Sequence, residues 1–243
     1  MRYSFRPKLW MTLATLVVMA LCIKAGLWQF SRAEEKRGLQ MQLNARQNEP
    51  SVALPDKIEG SGSWRFKRVK LTGTYDTRYQ VLLDNQVEST VAGYHVLTPM
   101  HVEGSKVYVL VNRGWIAGTP DRKVPEVVTP QGVQTIEGDI ALPPSKFFTL
   151  EAPPLKQTNW QQVWQNHVWQ NMDMQLYAKL VPFAIQPFVI RLNANSSAGG
   201  FVRNWPPPGE RVSMHLGYAY QWFGFALTLL VIFIALNIKK VER

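Results

Sequence analysis

The chain has 243 residues, 46% of them hydrophobic, with 27 Lys and Arg against 17 Asp and Glu, a formal net charge of +10 and a single cysteine. One cysteine excludes an intrachain disulfide, a CxxC or CxxxC copper carrier, a CxxCH haem attachment and a cysteine-ligated zinc site. The basic balance invites a nucleic-acid reading, but Arg2, Arg6, Lys8, Lys239, Lys240 and Arg243 flank the two longest apolar runs, where cations set membrane orientation instead.

The first of those runs is expected to be a transmembrane helix over residues 9–30. Residues 9–23 carry no charge, and the apolar pattern continues through Leu27, Trp28 and Phe30. At about 1.5 Å per residue this length crosses a hydrocarbon core of about 30 Å. Lys24 falls towards the outer end, where its stem can lie along lipid and Trp28 serves as an interfacial anchor. A cleaved signal peptide is the alternative. No small-x-small cleavage site follows, however, and Leu21 stands before Cys22 where a lipoprotein signal needs a small residue. Residues 1–8 are then a cytoplasmic tail, too short for a mitochondrial targeting sequence, which points to a bacterial inner membrane.

Residues 31–48 are polar and helical in pattern, either continuing the span or forming a second short helix, with Ser31 and Glu34 spaced as a capping box. Pro50, Pro55 and Gly60-Ser61-Gly62 end that pattern. From Val69 the period becomes that of strands: Val69, Leu71, Gly73 and Tyr75 on one face, Lys70, Thr72 and Thr74 on the other. Further strands are expected at 80–83, 94–98, 106–112, 135–140 and 188–192. The one at 106–112 is apolar on both faces and therefore central. Short turns such as Glu103-Gly104-Ser105 imply antiparallel pairing, and residues 172–180, opened by Asp173, read as a short helix. Arg65, Lys67, Arg68 and Lys70 form a basic cluster, read as the solvent face of a strand near anionic headgroups rather than a nucleic-acid site.

Pro206 to Pro208 and Gly209 break the chain before a second span over residues 215–238, which holds no charged residue, and 239–243 form a second cytoplasmic tail. The fold class that follows is an α+β membrane protein. Terminal transmembrane helices flank one periplasmic domain, residues 31–214, with an antiparallel β-sheet or barrel core and a few short helices. Both termini face the cytoplasm.

Motifs for enzymatic chemistry are missing. His95, His101, His167 and His215 show no HExxH spacing, and GxSxG, GxxxxGK[ST] and GxGxxG do not occur. Asn195-Ser196-Ser197 has the pattern of a glycosylation sequon, which carries no meaning in most bacteria. The expectation is that the chain is not an enzyme.

Several strings nevertheless recur in one known family. They are Gly26-Leu27-Trp28-Gln29-Phe30 with Arg32, then Gly93-Tyr94-His95-Val96-Leu97-Thr98-Pro99, then Leu110-Val111-Asn112-Arg113-Gly114-Trp115-Ile116, and finally His215-Leu216 with Tyr218 and Gln221-Trp222-Phe223-Gly224. In content and order they resemble the Surfeit locus protein 1 family of membrane factors in cytochrome c oxidase biogenesis. The stretches after Val124 and over 143–157 carry no such string.

The resemblance implies an accessory protein that helps an a-type haem reach, or stay in, the catalytic subunit of a haem-copper oxidase. That subunit would be a partner, as would the lipid bilayer and perhaps the enzymes of haem A synthesis; nucleic acid would not. It also implies that His215 is a haem-iron ligand. The residues add that Tyr218, Ala219, Trp222, Phe225 and Ala226 follow His215 at helical spacing, so flat rings and small side chains share a face that would receive a macrocycle. Equally, aromatics at a membrane interface form an ordinary belt and small residues on a span are ordinary helix packing. Arg113 has two readings as well. Its planar fork suits a haem propionate or a partner carboxylate, or else it pairs within the domain while Gly114 makes a tight turn; the structural reading is preferred. Trp115 shares that string, and Trp28 anchors the first span.

Overall fold

A computed structural model describes residues 2–55, 58, 60–119, 123–143 and 168–241. His167, Arg243 and residues 144–157 of the unmatched stretch lie outside the described residues. The chain divides into two compact units, one made of Met1–Asn44 with Pro206–Arg243 and one of Ala45–Trp205.

The first unit holds two long helices, α1 (Leu9–Arg46) and the C-terminal helix α3 (Val212–Asn237), both long and apolar enough to cross a membrane. At 38 residues α1 is about 57 Å long, roughly twice a hydrocarbon core. Of the two alternatives expected for residues 31–48, the structure has the continuation: the helix runs on through Ser31 to Arg46. Arg32 pairs with Glu35 and Arg37 with Glu34, each at 2.5 Å, so the polar half is sustained by contacts one turn apart. A capping residue opens a helix only where the preceding backbone is not already helical.

Small residues are buried on the long helices, Cys22, Gly26 and Ala33 on α1 with Ala219 and Ala226 on α3. A Cβ built on Gly26 would lie 2.6 Å from Phe223 Cε1, so only glycine lets this ring seat against α1. Large side chains such as Leu9, Trp10, Leu16, Leu21, Leu227 and Leu236 point outwards instead. The two tails carry short strands. β1 (Arg2–Phe5) and β9 (Ile238–Val241) pair antiparallel, and Phe5 meets Phe233 edge-on at 6.0 Å.

The second unit is a β-barrel. β2 (Arg68–Tyr75), β3 (Val81–Glu88), β4 (Val91–Val102), β5 (Tyr108–Ala117), β6 (Val133–Ala141), β7 (Val168–Trp169) and β8 (Ile185–Leu192) are ordered β2-β6-β8-β5-β4-β3-β7. Pairing of Gly73–Tyr75 with Met100–Val102 closes β2 onto β4, and β3 and β7 extend outside the ring. β5 is central, as its two apolar faces imply. Val109 and Val111 point into the barrel core with Tyr75, Met100, Phe188 and Ile190. Leu110 points the other way, into a second core with Val81, Leu97, Tyr177 and Val189.

The helix α2 (Met174–Leu180) covers that outer core, opened by Asp173, whose carboxylate accepts from Gln175 N at 2.9 Å and Leu176 N at 3.0 Å. The barrel is mostly antiparallel, as the short turns imply, but β5–β8 and β3–β7 run parallel. Both pairs join strands far apart in sequence, so no hairpin turn dictates their direction. The barrel unit, Ala45–Trp205, lies within the stretch 31–214 expected between the spans.

Candidate functional site

Of the residues singled out in the sequence, Arg113 and Trp115 lie in the barrel unit, and Trp28, His215, Tyr218 and Trp222 in the helical unit.

Arg113 is completely buried. β4 and β5 show how it comes to point inwards. Leu97 pairs with Asn112 and His95 with Trp115, so Arg113 and Gly114 together stand opposite Val96, and β5 carries one extra residue there. Gly114 absorbs that bulge with φ 123°, where a Cβ would lie 2.6 Å from Val202 O. The expected turn is thus corrected: the strand continues to Ala117, and Gly114 admits a crossing segment in which Trp115 N donates to Val202 O at 2.6 Å.

The Arg113 guanidinium donates to Thr129 Oγ1 and to Val128 O at 2.7 Å each, and more weakly to Thr98 Oγ1 at 3.4 Å. It lies 5.0 Å from the Tyr75 ring and 4.9 Å from the Phe201 ring. No carboxylate pairs with it among the described residues, and Nε has no partner there. Burial pushes the Tyr75 phenol up to about 12, so it stays neutral and its hydroxyl donates to Ala198 O at 2.9 Å. Arg113 is thus held wholly by contacts inside the barrel unit. Trp115 lies on the opposite face, its indole donating to Gln86 O at 3.0 Å.

His95 is within β4 rather than near a turn, and its ring meets Trp205 at 5.4 Å. Burial first, and then the Arg191 cation, push it down to about 4, against a smaller opposing pull from Glu88. It is neutral in the folded chain at pH 7. An unfolded histidine titrates near 6.5, so folding excludes a proton between about pH 6.5 and 4, and stability falls as pH drops through that window. Between pH 7 and pH 5 His95 is expected to cost about 2 kcal/mol. Unfolding of the detergent-solubilised chain at both pH values should show that difference, and His95→Gln should lose most of it. An equal pH dependence in the variant would contradict the assignment.

The basic cluster is largely accounted for within the barrel unit. Lys67 Nζ lies 4.4 Å over Trp64, and Arg68 lies 3.5 Å from Asp139 and 3.7 Å from Glu137 across the β2–β6 pair. Burial raises Asp139, with Arg68 opposing. These half-exposed pairs neutralise part of the cluster, as a strand's solvent face requires.

In the helical unit His215 sits in the first turn of α3, half-buried, with Nδ1 2.7 Å from Gln29 Oε1 of α1. Nothing hydrogen-bonds Nε2 among the described residues. Tyr218 is exposed, Trp222 half-buried and in edge contact with Phe225 at 5.8 Å, and Ala219 and Ala226 are buried. The face read from the sequence is therefore divided: His215 and the alanines turn inwards, while Tyr218 and Phe225 turn out. Trp28, beside Gln29, is exposed. Gln29, the hydrogen-bond partner of His215, was not singled out as a site residue in the sequence; the one signal for it was an uncharged polar side chain inside an apolar run. No three His, Cys, Asp or Glu side chains converge among the described residues.

Known proteins resemble the chain along most of its length. A SURF1-like protein of Rickettsia felis is 25% identical over 228 residues, covering 91% of this chain and 94% of that protein. Surfeit locus protein 1 of Takifugu rubripes is 24% identical over 246 residues, with 93% and 97% covered. Surfeit locus protein 1 of Homo sapiens is 26% identical over 230 residues, with 87% and 72% covered. The SURF1 family profile matches residues 16–227, from inside the first long helix, through the barrel, to inside the last, and the chain belongs to that family.

Proposed function

We propose that this chain is a membrane-anchored accessory factor in the biogenesis of a haem-copper oxidase, helping an a-type haem reach or remain in the catalytic subunit. Membership of the SURF1 family supports the oxidase part of the reading. The observation that carries the haem part is His215, an imidazole at a helix end whose Nε2 is uncommitted among the described residues.

That donor fits a haem: Nε2 of His215 would hold the iron, and Trp222, half-buried two turns along the same helix, would be the ring available to the macrocycle. Haem, when bound, would supply an iron able to accept the Nε2 lone pair of His215. His215 would be the single protein ligand, which suits holding and release rather than permanent electron transfer. The chain itself carries out no catalytic step in this reading. Its partners are the oxidase catalytic subunit, enzymes of haem A synthesis and the bilayer.

The two apolar helices support insertion in a bacterial inner membrane, and their basic outer flanks support cytoplasmic termini with a periplasmic barrel. Alkaline phosphatase fused after Arg243 should then be inactive, and the same fusion within the barrel unit active. The reverse pattern would overturn the orientation.

A strain lacking this chain should still make the catalytic subunit but with less a-type haem in it, measured per subunit in purified oxidase. Unchanged haem content and activity, with no second copy of the gene, would contradict any assembly role. One observation favours a second reading, a scaffold that binds oxidase subunits without haem: His215 is already hydrogen-bonded to Gln29, as an interhelical clasp would be.

A further inference from the structure

Gln29 is an amide in a run of apolar side chains, and burying an amide there is unfavourable unless it is hydrogen-bonded. Its partner is His215 Nδ1 at 2.7 Å, and both side chains are half-buried. An amide oxygen only accepts, so Nδ1 carries the proton in this pair. A neutral imidazole protonated on Nδ1 keeps its lone pair on Nε2, the nitrogen without a partner among the described residues. The pair sits one turn along α1 from Gly26, where Phe223 packs against the bare backbone, so close packing fixes the approach of the two helices beside it.

Resting on the haem reading above, we propose that Gln29 is the positioning residue for His215. Its carbonyl holds Nδ1–H, fixes the tautomer and ring plane, and leaves Nε2 as the nitrogen that would hold haem iron. Groups that accept the second ring proton of a ligating histidine tune the ligand as well as orient it. A carboxylate at this place would make the imidazole a stronger donor and hold iron harder. A neutral amide orients the ring without that strengthening, which suits a ligand that must let go.

The test uses the full chain in detergent with 15N-labelled histidine, together with titration of the haem-free chain with ferric haem. In the wild type the His215 nitrogens should report the Nδ1–H tautomer. Gln29→Leu should give a mixture of tautomers and weaken haem binding about 10- to 100-fold at an equal folded fraction. Gln29→Glu, which keeps an acceptor, should retain haem and lower its reduction potential.

An unchanged tautomer and unchanged affinity in Gln29→Leu would overturn the assignment. Equal losses in both variants, in proportion to misfolded protein, would do the same by reducing Gln29 to a packing role. Failure of the haem reading looks different: His215→Ala would keep its haem, while the tautomer comparison would still decide whether Gln29 holds His215.

Discussion

Arg113→Ala is expected to destabilise the barrel by about 3 to 5 kcal/mol, a large part of the 5 to 15 kcal/mol by which domains are ordinarily stable. The side chain is fully buried. Removing it leaves a hole inside the barrel unit and strands Val128 O and Thr129 Oγ1, which now accept from and face the guanidinium at 2.7 Å. The segment carrying Val128 and Thr129 has no regular structure of its own, so losing the guanidinium should release it to proteases.

Arg113→Met should cost less, because it fills most of the volume and relieves the desolvated charge while leaving the same acceptors unbonded. Unfolding of purified full-length variants and limited proteolysis read both effects. If Arg113 instead served mainly to grip a propionate or a partner carboxylate, the alanine variant would unfold like the wild type and lose only binding.

His215→Ala is expected to abolish haem binding while leaving the chain inserted and the barrel folded. His215 belongs to the helical unit and makes no part of either barrel core. The expected cost in stability is about 1 to 3 kcal/mol, confined to the helical unit, from leaving the Gln29 amide without its partner. His215→Met should retain some haem with a shifted spectrum, since a thioether also serves as an axial ligand. Haem content at equal expression measures the effect. Equal content in wild type and alanine variant would leave His215 as a clasp and favour the scaffold reading.

The strands could be read from the sequence because burial on one face imposes a period of two. Val69, Leu71 and Tyr75 are buried as the alternation requires, with Lys70 exposed and Thr72 half-exposed between them. The apolar run at Val107 to Val111 placed β5 in the middle for a similar reason, since Val109 and Leu110 feed two different cores. What escaped was set by contacts distant in sequence. The parallel β5–β8 pair, the closure of β2 onto β4 and the pairing of the two tails each join segments that no local pattern links.

The capping-box pattern at Ser31 left open whether the helix continued or restarted, and two ion pairs go with its continuing. At the candidate site His215 was legible as an isolated imidazole at a span's end, and Arg113 as a cation on an apolar strand. Their partners, Gln29 on one hand and Val128 with Thr129 on the other, were not, because hydrogen bonds between elements leave no periodic trace.

The central claim, that this SURF1-family chain holds a-type haem through His215, is tested most directly by an absorption spectrum. The detergent-purified full chain would come from cells that make haem A, beside His215→Ala prepared in the same way. The account predicts a Soret band and an a-type α band co-purifying with the wild type and absent from the variant. A wild-type chain that is folded and free of haem, or a variant with an identical spectrum, would contradict it.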